Sequence, residues 1–162
     1  MLLSDGDILR LLGSGELVIE NFHRENLTPN GYDLTIAHIS IPSGGAEIEE
    51  DKAVIPPMTW FLVGTEEVLS LPDDLACDLW IKTSWARKGV ISSFGKIDAG
   101  FRGNLTLSAF NASRNELDIS IGQKFAQMSL IPLHSRAEKG YADRSGNFQD
   151  QRGITIEPRK LI

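Results

Sequence analysis

At 162 residues, with 41% hydrophobic and 23% charged side chains, the chain has the length and composition of one globular domain spanning 1–162. A net charge of −6 argues against a general binder of nucleic-acid polymers, although a small pocket can still concentrate a few cations for a nucleotide. No run approaches the roughly 20 apolar residues of a membrane span, the acidic N-terminal residues do not read as a secretory signal, and the lone Cys77 suits a reducing compartment, so a cytoplasmic protein without a membrane partner is expected.

The first element is a short helix. Ser4 is its N-cap with Asp7 three residues on, Ile8, Leu9, Leu11 and Leu12 form an apolar face, and Gly13 is the expected stop. Short apolar runs follow at 17–19, 32–36, 53–55, 60–63, 68–71, 75–81, 104–111 and 125–131, bounded by Pro, Gly and Asn. That spacing predicts an all-β barrel or sandwich. The segment 104–110 has the clearest alternation, with Asn104, Thr106, Ser108 and Phe110 on one face. From Ser135 onward the tail is polar and Gly-containing, a composition that is either mobile or orders over something else. Glu47, Glu49, Glu50 and Asp51 read as a solvated acidic loop, and Trp60, Trp80 and Phe61 as core or subunit-contact side chains.

Four polar clusters could carry chemistry. Lys82-Thr83-Ser84-Trp85-Ala86-Arg87-Lys88-Gly89 offers hydroxyls and cations at a strand end, as a phosphate chain requires, and its bland reading is a capped basic turn. Lys96-Ile97-Asp98-Ala99-Gly100-Phe101-Arg102-Gly103 places a carboxylate in a Gly-framed loop, where it could orient a water or simply bond its own backbone in a turn. Gln127 interrupts an apolar strand, so if buried it needs partners in the protein or a ligand. In the tail, Tyr141, Asn147, Phe148, Gln149 and Gln151 form an aromatic-and-amide set suited to a base or sugar.

In their order along the chain these clusters resemble the dCTP deaminase and dUTPase superfamily. The likeness extends through Pro29-Asn30-Gly31-Tyr32-Asp33-Leu34, Val54-Ile55-Pro56-Pro57, Leu71-Pro72-Asp73-Asp74, Asn104-Leu105-Thr106-Leu107, Gly122-Gln123-Lys124-Phe125-Ala126-Gln127 and Phe148-Gln149-Asp150-Gln151-Arg152-Gly153. The resemblance implies a distorted jelly-roll β-barrel that assembles as a homotrimer with sites at subunit interfaces. It implies Lys82, Thr83, Ser84, Arg87 and Gln127 on the triphosphate, with Lys82-Thr83 standing where the family usually has Arg-Ser. Asp98 would contact the sugar and position the attacking water, and Phe101, Thr106, Leu107, Ser108, Tyr141, Asn147 and Gln151 would surround sugar and base. Mg²⁺ would bind through substrate phosphates without protein ligands.

One departure sets the expected reaction. The dCTP deaminases carry a proton-shuttling glutamate where this chain has Ser108, and a serine hydroxyl does not titrate near neutral pH. A zinc deaminase needs H-x-E with P-C-x-x-C, whereas His23-Arg24-Glu25 stands in a chain with one cysteine. The short deaminase-type dUTPases are the nearest resemblance, and the expectation is a dUTP diphosphatase that yields dUMP and pyrophosphate. A dCTP deaminase, alone or bifunctional, is the first alternative, and a catalytically silent nucleotide-binding module the second.

Overall fold

In the computed structural model, which describes residues 1–44, 46–48 and 51–159, the chain starts with α1 (Asp5–Ser14). Ser4 Oγ accepts from the Asp7 amide and the Asp7 carboxylate accepts from the Ser4 amide, both at 3.2 Å, so each satisfies a donor the helix leaves open. The stop is Gly15, in the left-handed region at φ 77°, with Gly13 still inside the helix. Only a residue tolerant of positive φ lets the cap amide turn back to Leu12 O, which accepts at 3.2 Å.

Thirteen strands follow among the described residues: β1 (Val18–Glu20), β2 (Leu27–Thr28), β3 (Gly31–Ile41), β4 (Ala46–Ile48), β5 (Lys52–Ile55), β6 (Thr59–Thr65), β7 (Val68–Ser70), β8 (Leu75–Ile81), β9 (Val90–Ser92), β10 (Arg102–Gly103), β11 (Thr106–Asn111), β12 (Leu117–Ser120) and β13 (Lys124–Pro132). Two single-turn helices, α2 (Thr83–Ala86) and α3 (Tyr141–Arg144), follow β8 and β13. The main sheet runs β8-β13-β3-β6-β11-β9, with β2 and β4 also paired to β3, and smaller sheets β1-β7-β10 and β12-β5 complete the wall. This is the expected distorted jelly-roll β-barrel with a short N-terminal helix.

Alternation decides which side chains fill the barrel. On β6 and β11, Phe61, Val63, Leu107 and Ala109 point into the core, where Phe61 meets Phe125 of β13 edge-on at 6.1 Å. The opposite face carries Trp60, Leu62, Thr106 and Ser108, and Leu62 is buried there as well. An apolar residue buried on the outer face means something covers it, and the cover is the tail.

From Asp150 on, the tail is tied to β10 and β11. Arg102 pairs with Asp150, Gln151 pairs with Gly103 through a parallel bridge, Asn104 Nδ2 donates to Gly153 O at 3.0 Å, and the Thr155 amide donates to Thr106 Oγ1 at 2.9 Å. The tail thus lies against the outer wall of the barrel.

A buried polar network joins these layers. Glu67 is fully buried and accepts from the Thr35 amide at 2.9 and 3.2 Å, while Asn26 Nδ2 donates to Thr35 Oγ1 at 3.0 Å. Thr65 Oγ1 accepts from the Leu105 amide at 2.9 Å, and Thr65 O accepts from Asn104 Nδ2 at 3.2 Å. Burial pushes the Glu67 carboxyl above its ordinary value, against the lowering effect of those bonds. Cys77 is buried, and burial raises its thiol to about 12, which makes it an inert packing residue. Of the acidic stretch, Asp51 is exposed, while Glu49, Glu50 and the Glu47 side chain lie outside the described residues. No helix among the described residues is long and apolar enough to cross a membrane.

Candidate functional site

Asp98 sits on the loop between β9 and β10. Two backbone bonds between Ile97 and Cys77, at 2.8 and 3.0 Å, fasten the loop to β8 just before it. The chain then turns sharply: the Gly100 amide donates to Pro72 O at 3.1 Å and the Phe101 amide to Asp98 O at 3.2 Å. Gly100 has φ 81°, and a Cβ there would lie 3.1 Å from the Tyr141 amide nitrogen and from Gly140 Cα. A side chain at 100 would therefore push α3 off this loop. With glycine, Tyr141 N donates to Ala99 O at 2.9 Å, and the Tyr141 and Phe101 rings meet edge-on at 5.5 Å. The Asp98 side chain is about half exposed and lies 3.4 Å from Lys96 Nζ.

Beside this turn the outer face of β6 and β11 forms the floor of a cavity of about 320 Å³, within the size range of small-ligand pockets. Asp98, Phe101, Thr106, Ser108, Tyr141 and Gln151 all line it, so six of the residues proposed from sequence for sugar and base converge. Trp60, Leu62, Lys96, Phe148, Thr155 and Ile156 also line it. Aromatic rings and aliphatic chains make most of the wall, and Asp98 is the one carboxylate among the lining residues. Leu107 faces the opposite way into the core, as strand alternation from Thr106 and Ser108 requires. Asn147 does not line the cavity, and its backbone oxygen accepts from the Arg159 amide at 2.8 Å.

The polar groups in the cavity are already partly engaged. Trp60 Nε1 donates to Ser108 Oγ at 2.7 Å. Tyr141 Oη accepts from the Phe148 amide at 3.0 Å. Gln151 Nε2 donates to Asn104 O at 2.6 Å, and its buried side-chain oxygen has no partner among the described residues.

The triphosphate candidates lie elsewhere in the chain. Lys82, Thr83, Ser84 and Gln127 line a groove with Trp80 and Ile81. Buried Asp33 of β3 organises it: one carboxylate oxygen bonds Lys82 Nζ, and the other accepts from Gln127 Nε2 at 3.1 Å. Thr83 and Ser84 are exposed, and α2 is a single turn. Arg87 lines a separate depression with Lys88 and Ser113. Trp85, part of the same sequence cluster, is buried and donates Nε1–H to Lys124 O at 2.9 Å. The structure thus brings Lys82, Thr83, Ser84 and Gln127 together, and sets them and Arg87 apart from the Asp98 cavity within one chain.

Sequence reasoning missed Asp33, Trp60 and, within a tail expected to cover the nucleotide, Thr155 and Ile156 as site residues. Asp33 stands out only as part of a motif, and a carboxylate in the otherwise apolar run 32–36 is the signal that a cation pairs with it. Trp60 and Leu62 alternate with Phe61 and Val63, so an apolar outer face is also readable there.

Fold and cavity together define a β-barrel of the dUTPase type with a ring-sized pocket on its outer wall. A family model described as dCTP deaminase-like matches residues 42–133. Over 164 aligned positions the chain is 39% identical to the dCTP deaminase of Pyrococcus furiosus, covering 100% of both chains. It is 38% identical to the dCTP deaminase of Pyrococcus horikoshii, again covering 100% of both. The 2′-deoxycytidine 5′-triphosphate deaminase from Agrobacterium tumefaciens matches with a TM-score of 0.67 at 21% identity, over 80% of this chain and 48% of that one. This chain thus spans about half the length of that structure. Native EIAV dUTPase matches with a TM-score of 0.56 at 21% identity, over 76% of this chain and 93% of that one. Likeness at this identity shows the fold alone. The chain belongs to the dCTP deaminase-like family, a family of enzymes.

This membership corrects the expectation of a dUTP diphosphatase. The relatives that match over the whole length are named dCTP deaminase, the activity that stood second in the sequence reading. That reading leaned chiefly on Ser108, with the missing zinc motif and the likeness to short dUTPases beside it. The lack of a titrating group at one position says only that another group moves the proton; it does not decide the reaction.

Proposed function

We propose that the protein deaminates dCTP, replacing the 4-amino group of the cytosine ring with oxygen from water to give dUTP and ammonia. The observation that carries this reading is the cavity of about 320 Å³ walled by Trp60, Phe101 and Tyr141, with Asp98 as its single carboxylate. Its support in kinship is the name shared by the full-length relatives. Water adds at C4 of the ring; one of its protons must leave with the amino group and the other must reach ring N3. Asp98 is the group that takes the first proton and passes it to the leaving amine, with Lys96 Nζ 3.4 Å from its carboxylate.

The assembly proposed with this function is a homotrimer in which the groove at Lys82, Thr83, Ser84 and Gln127 of one chain faces the Asp98 cavity of another. The separation of the two surfaces within one chain supports it, as do Trp80 and Ile91, exposed at 63% and 61%. Among the described residues no three or more His, Cys, Asp or Glu side chains group closely enough to hold a metal. Mg²⁺ is proposed on the nucleotide's own phosphate oxygens, where it would neutralise charge.

The test is ammonia release from dCTP by purified protein, with pyrophosphate followed in the same reaction so that triphosphate cleavage is not mistaken for deamination. Asp98→Asn is expected to lower ammonia release by about 10²-fold or more, the usual range for a general acid–base group, with the melting temperature unchanged. One observation favours a second reading, a nucleotide-binding module without turnover: the cavity carries a single carboxylate, and it is half exposed. Tight dCTP binding with no ammonia would establish that reading and remove the first.

A further inference from the structure

Behind the Asp98 turn lies a second cavity, of about 340 Å³, for which the proposed reaction has no use. Its floor is apolar and small, made by Ala76 of β8, Ala99, Leu133 and Ala137. Its rim carries Lys96, Lys139 and Arg144 with the hydroxyl of Ser145, and Asp98 is the one carboxylate among the lining residues. Three cations against one acid reverses the balance of the whole chain, which has 22 acidic and 16 basic residues. Like charges gathered on one rim repel, so the arrangement is most stable with an anion among them. The backbone beneath them is fixed before any ligand arrives. The Leu133 amide donates to Asp74 O at 2.8 Å, the Ala137 amide to Asp73 O at 2.9 Å, and the Tyr141 amide to Ala99 O at 2.9 Å. Lys139 thus rises from a stretch pinned on both sides, is exposed, and has no ion-pair or hydrogen-bond partner among the described residues. Arg144 has Glu138 at 4.0 Å, itself 92% exposed, a contact too loose to occupy a guanidinium with five donors.

We propose that this cavity is a second anion site, separate from the Lys82 groove, and that it takes a diphosphate group on Lys96, Lys139 and Arg144. The ligand class follows from the donors. A carboxylate brings one charge and two oxygens, too few for two ammonium groups and a guanidinium fork, whereas a diphosphate brings several of each. The groove differs in kind, because its lysine is already paired with buried Asp33, while Lys139 is paired with nothing described. Lys96, Asp98 and Tyr141 line both this cavity and the ring cavity. An anion bound here therefore shares the Lys96 ammonium with Asp98 and lies against the turn that shapes the ring cavity. The site needs only the cavity and its cations, and does not rest on the deamination reading.

The experiment is limited trypsin cleavage of the full chain in inorganic pyrophosphate, compared with potassium chloride at equal ionic strength, with the cut sites read by mass spectrometry. An anion held by Lys139 and Arg144 covers the side chains that trypsin must grip. Cleavage after both is expected to slow about tenfold when pyrophosphate stands at about ten times its Kd. Cleavage after Arg152, outside this cavity, is the internal reference. Loss of one charged donor should weaken binding about tenfold, so at the same pyrophosphate concentration protection should drop to about twofold. That drop is read after Arg144 in Lys139→Ala and after Lys139 in Arg144→Ala, and Lys139→Arg should restore the protection. Equal cleavage in pyrophosphate and chloride, equal slowing after Arg152, or protection after Arg144 that survives Lys139→Ala overturns the proposal. ADP run in parallel identifies the source of the diphosphate. Protection by pyrophosphate alone assigns the site to the free anion, and protection by both assigns it to the phosphate tail of a nucleotide.

Discussion

The Asp98 cavity and the Lys82 groove sit on one barrel and are built on opposite plans. The cavity has ring walls, one carboxylate, and two hydroxyls that each accept one hydrogen bond from the protein. The groove has a cation and an amide held on a buried carboxylate, Asp33, with Thr83 and Ser84 open to solvent beside them. The first plan recognises a flat heterocycle by shape and by the sense of a few hydrogen bonds, and the second supplies charge and donors to oxygen-rich anions. The chain's own tail completes the cavity, whereas nothing among the described residues of the same chain completes the groove. The proposed division of a nucleotide between the cavity of one chain and the groove of another rests on that asymmetry.

The strongest test of this division is complementation. Asp98→Asn keeps an intact groove, and Lys82→Ala keeps an intact cavity. Each alone should be nearly inactive toward dCTP. If each site combines the cavity of one chain with the groove of another, unfolding and refolding an equal mixture should return about a quarter of wild-type activity by random assembly. If both surfaces of one chain served the same site, the mixture would stay as inactive as its parents. Because Lys82 pairs with buried Asp33, removing it leaves that carboxylate uncompensated, and Lys82→Arg serves as the variant that keeps the charge.

How far each region is legible in the sequence follows from how local its determinants are. The turn from Asp98 to Phe101 is a contiguous string whose glycine has one physical use, and it can be read from those residues alone. So can the alternation on β11, which puts Thr106 and Ser108 on one face. The bond from Trp60 to Ser108 joins residues 48 positions apart and depends on the register of β6 against β11, which no local pattern states. The Asp33–Lys82 pair spans 49 positions and has the same character. Elements are hidden for a related reason. β12 is an alternating Leu117-Asp118-Ile119-Ser120 of four residues, too short to stand out until β5 pairs with it. β3 runs on to Ile41 past the expected 32–36, because β6 and β4 both pair with its second half. Ser108 gives the costliest misreading, because one position carries most of the weight in choosing the reaction.

A smaller effect should come from the strap that closes the cavity. Arg102 holds Asp150 bidentately, with Nη2 donating at 2.9 Å, and each group shifts the other toward its charged form. Both side chains are well exposed, so removing the pair should leave global stability nearly unchanged. Its work is to hold the tail segment bearing Gln151 and Thr155. Arg102→Ala should raise KM for dCTP roughly two- to fivefold with little change in kcat, and speed tryptic cleavage after Arg152. The exchange Arg102→Asp with Asp150→Arg should recover most of that loss. Equal KM in Arg102→Ala and wild type would mean that the tail closes the cavity without this pair.

The smallest expected effect concerns the strut between the two regions. Glu67 accepts from Thr35, two residues from Asp33 of the groove, and the same network reaches Asn104, which bonds Gly153 of the tail. Burial holds the Glu67 carboxyl above its ordinary value of 4.5. At pH below that value the carboxyl is protonated in both folded and unfolded chains. As pH rises through it the unfolded chain releases its proton first, so the folded state loses stability until the folded pKa is passed, after which the loss is constant. Glu67→Gln cannot titrate but keeps the shape and one acceptor for Thr35. Other carboxylates contribute equally to both proteins and cancel in the difference. The melting-temperature gap should therefore move in favour of Glu67→Gln as pH rises from about 4 and then level off. A gap independent of pH would show that the Thr35 bonds fully offset burial, leaving the strut an ordinary carboxylate that couples the two regions by geometry alone.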